Sequence, residues 1–134
     1  MSHFTKLAKA NITDPEAFAK AAEELGYKTS RNATASCYRG RNKIEGEVVV
    51  HVIEGDDIAL TKNDKGSYDM QADWSYMGGE MIRGTSFKSI GELQDRLLQL
   101  TTKNTIVEKY RREGWRAHVT EQGGDLNVQL QKYE

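Results

Sequence analysis

The sequence predicts an α+β fold: a mostly antiparallel sheet with two main helices packed on one face. Three observations carry this. A capped apolar stripe runs from Thr13 to Gly26, a series of short strands with hairpin punctuation fills 47–74, and a long periodic segment leads from about Ser89 to Gly114 into a second hairpin. Strands in a run with helices at both ends favour one sheet covered by helices over the alternating pattern of a parallel sheet. The whole chain, 1–134, reads as one domain, since 134 residues suit one self-supporting core and no linker or low-complexity tract interrupts them.

The elements follow in order. Phe4 to Ala10 alternates and reads as a strand. Thr13 with Glu16 fits a capping box, Pro15 suits a first helical turn, and Phe18, Ala21, Ala22 and Leu25 form the stripe that Gly26 ends. Ser30 to Lys43 is polar and basic and carries no strand pattern. Glu47 to Ile53 has apolar residues on both faces except at His51, which suits a central strand whose histidine needs a partner or a wet face. Ile58 to Thr61, the turn Asn63-Asp64-Lys65-Gly66 and the alternation Tyr68, Met70, Ala72, Trp74 complete a three-stranded antiparallel meander. Residues 75–88, with Gly78, Gly79 and Gly84, form a loop. In the second helix Leu93, Leu97, Leu100, Asn104 and Val107 share a face, while Thr101, Thr102 and Thr105 lower helix propensity and place a break near 101–104. Trp115, Ala117 and Val119, a Gly123-Gly124 turn, and Leu126, Val128 and Leu130 make the last hairpin. The expected core is Phe18, Leu25, Val48, Val50, Leu93, Leu97 and Val128.

Composition narrows the function. A net charge of −1 with 29% charged residues creates no global field for nucleic acid or anionic membrane. Cys37 is the one cysteine, so no internal disulfide forms and a reducing compartment is expected. No apolar run approaches a signal peptide or a membrane span, so the expectation is a cytoplasmic protein with no membrane insertion.

The residues that carry chemistry are few. His3, His51 and His118 lack the short paired spacing of zinc ligands and read as structural, so neither metal nor cofactor is expected. Cys37 reads as inert, although Arg39 and Arg41 would lower its pKa if close. Glu54, Asp56 and Asp57 read as solvated turn acids. Asp73 and Trp74 end a strand, where they either line a cleft or serve as cap and core. Arg31, Tyr38, Arg39, Arg41 and Lys43 form the one concentrated basic stretch, with Tyr38 as a stacking platform, and are the candidate nucleic-acid contacts.

The start Met1-Ser2-His3-Phe4, the helix end Glu24-Leu25-Gly26-Tyr27, the Tyr38-Arg39-Gly40 turn, Tyr68 with Ala72-Asp73-Trp74, and a C-terminal helix running into Gly114-Trp115 occur in this order. In that order they resemble a family of unknown function, hypothetical chloroplast reading frame thirty-five, found in cyanobacteria, algal plastids and cyanophages. The resemblance spans nearly the whole chain, except that Ser75 to Lys88 does not align with its pattern. It implies no catalytic residue or cofactor, and it implies a cytoplasmic, plastid-stromal or infected-host setting.

The expected function is therefore a non-catalytic interaction or assembly-type accessory protein. The partner is expected to be another protein or a second copy, meeting a patch around Val49 and Ile53 on the sheet face that two helices leave bare. The alternatives are a nucleic-acid-binding accessory module using Arg31 to Lys43, a small enzyme with a cleft near Asp73, and a monomer whose hairpin, Trp115 to Leu130, closes the bare face.

Overall fold

In the computed structural model, which describes residues 4–7, 11–37, 40–53, 55–77, 87–123 and 125–132, the alternating segments pair into two antiparallel sheets. The elements in chain order are β1 (Thr5–Lys6), α1 (Pro15–Glu24), β2 (Lys28–Cys37), β3 (Asn42–Ile53), β4 (Asp56–Lys62), β5 (Tyr68–Ala72), α2 (Trp74–Tyr76), α3 (Ile90–Arg112), β6 (Trp115–Gln122) and β7 (Asp125–Lys132). The main sheet has the order β1-β5-β4-β3-β2, and β6 and β7 form a separate ribbon. The α+β class is as the sequence predicts, and the β3-β4-β5 meander forms its centre.

The helix ends show how local chemistry places the elements. Asp14, not Thr13, is the N-cap of α1: its Oδ1 accepts from Glu16 N at 3.1 Å and Ala17 N at 3.2 Å, leaving Pro15 in the first turn. A carboxylate at this position also meets the positive end of the helix dipole, which a threonine does not. Ser89 caps α3 by accepting from Glu92 N at 3.1 Å. The expected break near 101–104 does not occur. Thr101, Thr102 and Thr105 donate to the carbonyls of Leu97, Leu98 and Thr101, so their hydroxyls are satisfied within the helix. Buried Asn104 donates from Nδ2 to Ala17 O at 3.2 Å and ties α3 to α1.

The first face of the sheet is covered as expected. Phe18, Ala19 and Ala22 of α1 and Leu93 and Leu97 of α3 pack with Val48, Val50, Ile58, Leu60, Met70 and Ala72. Leu25 is only partly buried against this cluster.

The second face departs from expectation. Val49 is fully buried there with Ala35 and Ala59, and Phe4, Ala33 and Ile44 lie against them, so the patch placed at Val49 is not an open surface. The side chain of Ile53 lies outside the described residues. What covers Val49 is the polar stretch that carried no strand pattern. It forms β2, whose end pairs with the start of β3, and this ribbon folds back over the sheet. Ser36 pairs with Lys43 in the ladder, eight residues along β3 from His51, a distance of about 26 Å on a straight strand. Yet Ser36 N donates to Asp57 Oδ2, beside His51, at 2.9 Å. Gly40 N likewise donates to Gly55 O at 3.2 Å. The bend passes Gly46, where a Cβ would lie 3.3 Å from Ala59 Cβ. The inner positions of β2 are Ala33, Ala35 and Cys37, small enough for two layers to approach closely.

The C-terminal hairpin therefore does not close the second face; β6 packs on α3 instead. Val128, expected in the core, is 37% exposed, because β7 lies on the outer side of this ribbon.

Candidate functional site

The fold-back brings together polar groups that are far apart in sequence. Ladder register sets Lys28, His51 and Asp57 side by side across β2, β3 and β4, on the face opposite the helices. Ser30 is two residues along β2 on the same face. Its Oγ lies 2.7 Å from His51 Nε2, and His51 Nδ1 lies 3.1 Å from Asp57 Oδ1. A β-bulge between His51 and Ile53 and the Gly55 turn, at φ 83°, deliver Asp57 to this position.

Asp57 is 6% exposed, whereas the His51 side chain is 41% exposed. The carboxylate accepts through both oxygens, Oδ2 taking the Ser36 amide. An ionised carboxylate cannot donate, so the proton of neutral His51 sits on Nδ1 and Nε2 accepts from the Ser30 hydroxyl. The result is a hydroxyl–imidazole–carboxylate relay whose imidazole is its most exposed member.

Behind the relay lie further buried acids. Asp56 and Asp73 are 1% and 5% exposed, so Asp56 and Asp57 are not the solvated turn acids that their sequence position suggests. Cys37, fully buried, has its pKa raised first by burial and then by the Asp73, Asp56 and Asp57 carboxylates, against a lowering hydrogen bond from Asn42. A thiol held protonated and out of water is a poor nucleophile. Native protein is accordingly expected to resist a thiol-reactive reagent such as iodoacetamide at neutral pH and to be labelled quickly in urea. Stoichiometric labelling of folded protein at the rate of a free thiol would contradict the burial of Cys37.

Asp73 caps α2: its Oδ1 accepts from Tyr76 N at 3.3 Å, while its buried Oδ2 has no hydrogen-bond partner among the described residues. Trp74 Nε1 donates to Thr5 O at 2.8 Å and pins β1 to the sheet. Among the described residues no cluster of three or more His, Cys, Asp or Glu side chains is disposed to hold a metal ion.

The basic stretch is divided by the fold. Arg31 faces α1 and holds Glu16 through Nε at 2.8 Å and NH2 at 3.0 Å, with Glu23 at 3.6 Å. That hydrogen bond lowers the pKa of Glu16. Lys43 is exposed on the outer side of β3, where Glu45 and Glu47 follow it at alternate positions. Arg41 is exposed in the turn before β3 and is engaged by its neighbours. Tyr38, Arg39, His3 and Glu54 lie outside the described residues. His118 is exposed on β6, on a different sheet from His51.

A second surface lies on the C-terminal ribbon. Trp115, Ala117 and Val119 of β6 share a face with Leu126, Val128 and Leu130 of β7, in the pairs Ala117–Leu130 and Val119–Val128. Arg96 of α3 clasps Glu121 of β6 at 2.7 Å. On β7, Val128 and Leu130 remain 37% and 42% exposed.

Sequence reasoning missed the relay because its members come from three strands and its contacts bridge 21 and 6 positions. The usable clue was His51 itself, a polar residue in an apolar strand that needed a partner.

Fold and site together define a small α+β sheet protein with an imidazole–carboxylate pair on one face and an open apolar ribbon at its C-terminus. The chain belongs to the family described as protein of unknown function, DUF1257, whose profile matches residues 21–131. That span includes the relay and both strands of the ribbon up to Gln131, one residue short of the end of β7. No curated protein and no solved structure matches the chain. Among the described residues no helix is long and apolar enough to cross a membrane.

Proposed function

We propose that this protein is an interaction or assembly-type accessory protein of the photosynthetic lineage that its family resemblance implies, docking through the edge of β7. The observation that carries this reading is the pair of exposed apolar side chains, Val128 and Leu130, on a strand with a single strand neighbour among the described residues. Edge strands are normally guarded by lysine, proline or a bulge. Between Asp125 and Lys132 this one has neither charge nor proline.

The partner we assign is a second copy. The segment Leu126-Asn127-Val128-Gln129-Leu130 is a near-palindrome. Paired antiparallel with itself about a two-fold axis through Val128, it sets Val128 against Val128, Leu126 against Leu130 and Asn127 against Gln129. Every pair then matches apolar with apolar or amide with amide, and the apolar faces of two ribbons join into one four-stranded face.

Light scattering on the purified protein at high concentration tests this. The expected mass is twice 15.1 kDa, falling to 15.1 kDa in Val128→Lys, which places two ammonium groups together at the axis. A wild-type monomer would rule out self-association, and a Val128→Lys protein that stays dimeric would move the interface away from β7.

A further inference from the structure

Beyond the docking role, and on a different face of the molecule, we propose that Ser30 is an activated nucleophile for acyl transfer from small carboxylic esters, with His51 as its general base and Asp57 positioning the imidazole. Three observations support this. The Ser30 Oγ–His51 Nε2 distance of 2.7 Å and the His51 Nδ1–Asp57 Oδ1 distance of 3.1 Å are those required for nucleophile, base and orienting acid. Asp57 is 6% exposed, Ser30 is half-buried and His51 is the most exposed of the three, so the acid is shielded while the base and the hydroxyl are reachable. Asp57 is also anchored through its second oxygen by the Ser36 amide at 2.9 Å, which holds the carboxylate independently of the histidine.

Lys28 gives the site a fourth group. It is exposed and directly across the ladder from His51, on the same face as Ser30. An ammonium group there favours the oxyanion that forms when a carbonyl is attacked. The β2–β3 ribbon covers part of this face, with Ser36 over Asp57, so the space left beside Ser30 suits short acyl groups.

The chemistry balances within these groups and water. Ser30 Oγ bonds to the carbonyl carbon as its proton passes to His51 Nε2. The ester C–O bond breaks, and the alkoxide leaves with that proton. Water then gives a proton to His51 and its hydroxide to the acyl carbon, the Ser30 Oγ–C bond breaks, and Ser30 recovers its proton from His51. The products are an alcohol and a carboxylic acid. No oxidant or reductant is required.

Labelling with a fluorophosphonate, which phosphonylates activated serines, tests the proposal, with p-nitrophenyl acetate hydrolysis as a second readout. Peptide mass mapping is expected to find one adduct, on Ser30, absent in Ser30→Ala. In His51→Gln the labelling rate is expected to fall by about 100-fold or more, the usual size of a general-base contribution. His118→Gln, which alters the exposed histidine on the other sheet, should leave the labelling rate unchanged. Circular dichroism of each variant separates loss of chemistry from loss of fold. Folded wild-type protein with no adduct on Ser30, or labelling unaffected by His51→Gln, would overturn the proposal and leave the three residues as a ladder clasp. Neither result bears on the oligomeric state, so this inference and the docking reading stand or fall separately.

Discussion

Leu97→Ala is expected to lower the unfolding free energy by about 3 kcal/mol, within the span of roughly 2–5 kcal/mol for well-packed leucines. Leu97 is completely buried, in the layer where α3 meets the sheet alongside Phe18, Val50 and Leu93. Its helix cannot readily settle into the space left by truncation. The Leu97 carbonyl is bonded by the Thr101 hydroxyl at 2.6 Å, and one turn further on Asn104 is fastened to Ala17. A cavity that cannot collapse retains both the lost transfer energy and the lost contacts. Urea titration measures the effect as a lower midpoint at unchanged slope. A loss under about 0.5 kcal/mol would mean that Leu97 faces solvent and that the phase of α3 is wrong, since a buried leucine cannot be removed so cheaply.

Gly46→Val is expected to cost about 3 kcal/mol, at the upper end of the usual penalty for overpacking. A Cβ at position 46 would lie 3.1 Å from Val48 O, 3.2 Å from Val49 Cγ2 and 3.3 Å from Ala59 Cβ. These are a backbone oxygen and two core methyl groups, none at the end of a flexible side chain, and the two further methyls of valine have nowhere to go. The ribbon must therefore lift. Lifting would separate Ser36 from Asp57 and open the cover over Cys37. The variant should thus lose stability and also admit iodoacetamide to Cys37 faster than wild type, with Gly46→Ala intermediate in both. A Gly46→Val protein that matches wild type in urea and in thiol labelling would mean the two layers do not approach closely.

Elements whose information is local were legible from the residues alone. The start of α1 at Pro15 and its end at Gly26, the bounds of α3 at Ser89 and Gly114, and the hairpin closed by Asn63 with Gly66 are of this kind, because caps and turns are decided by a few neighbouring side chains, although the α1 cap itself is Asp14 and not Thr13. The β3-β4-β5 meander was legible from Glu47 onward, since an apolar run, short alternations and turn residues are properties of single segments, while the start of β3 at Asn42 was not. β2 was not, because its inward side chains are Ala33, Ala35 and Cys37, too small to write an apolar alternation. Their smallness makes sense only against the layer they approach. Val128 alternates just like a core strand residue, and only the placement of the ribbon beside α3 leaves it in water. The polar site follows the same rule. Asp57 reads as a solvated turn acid until the curl at Gly46 brings Ser36 over it. His51 has no visible partner until ladder register sets it between Ser30 and Asp57. Register and curvature arise from all the strands packing at once, and no short window of sequence contains them.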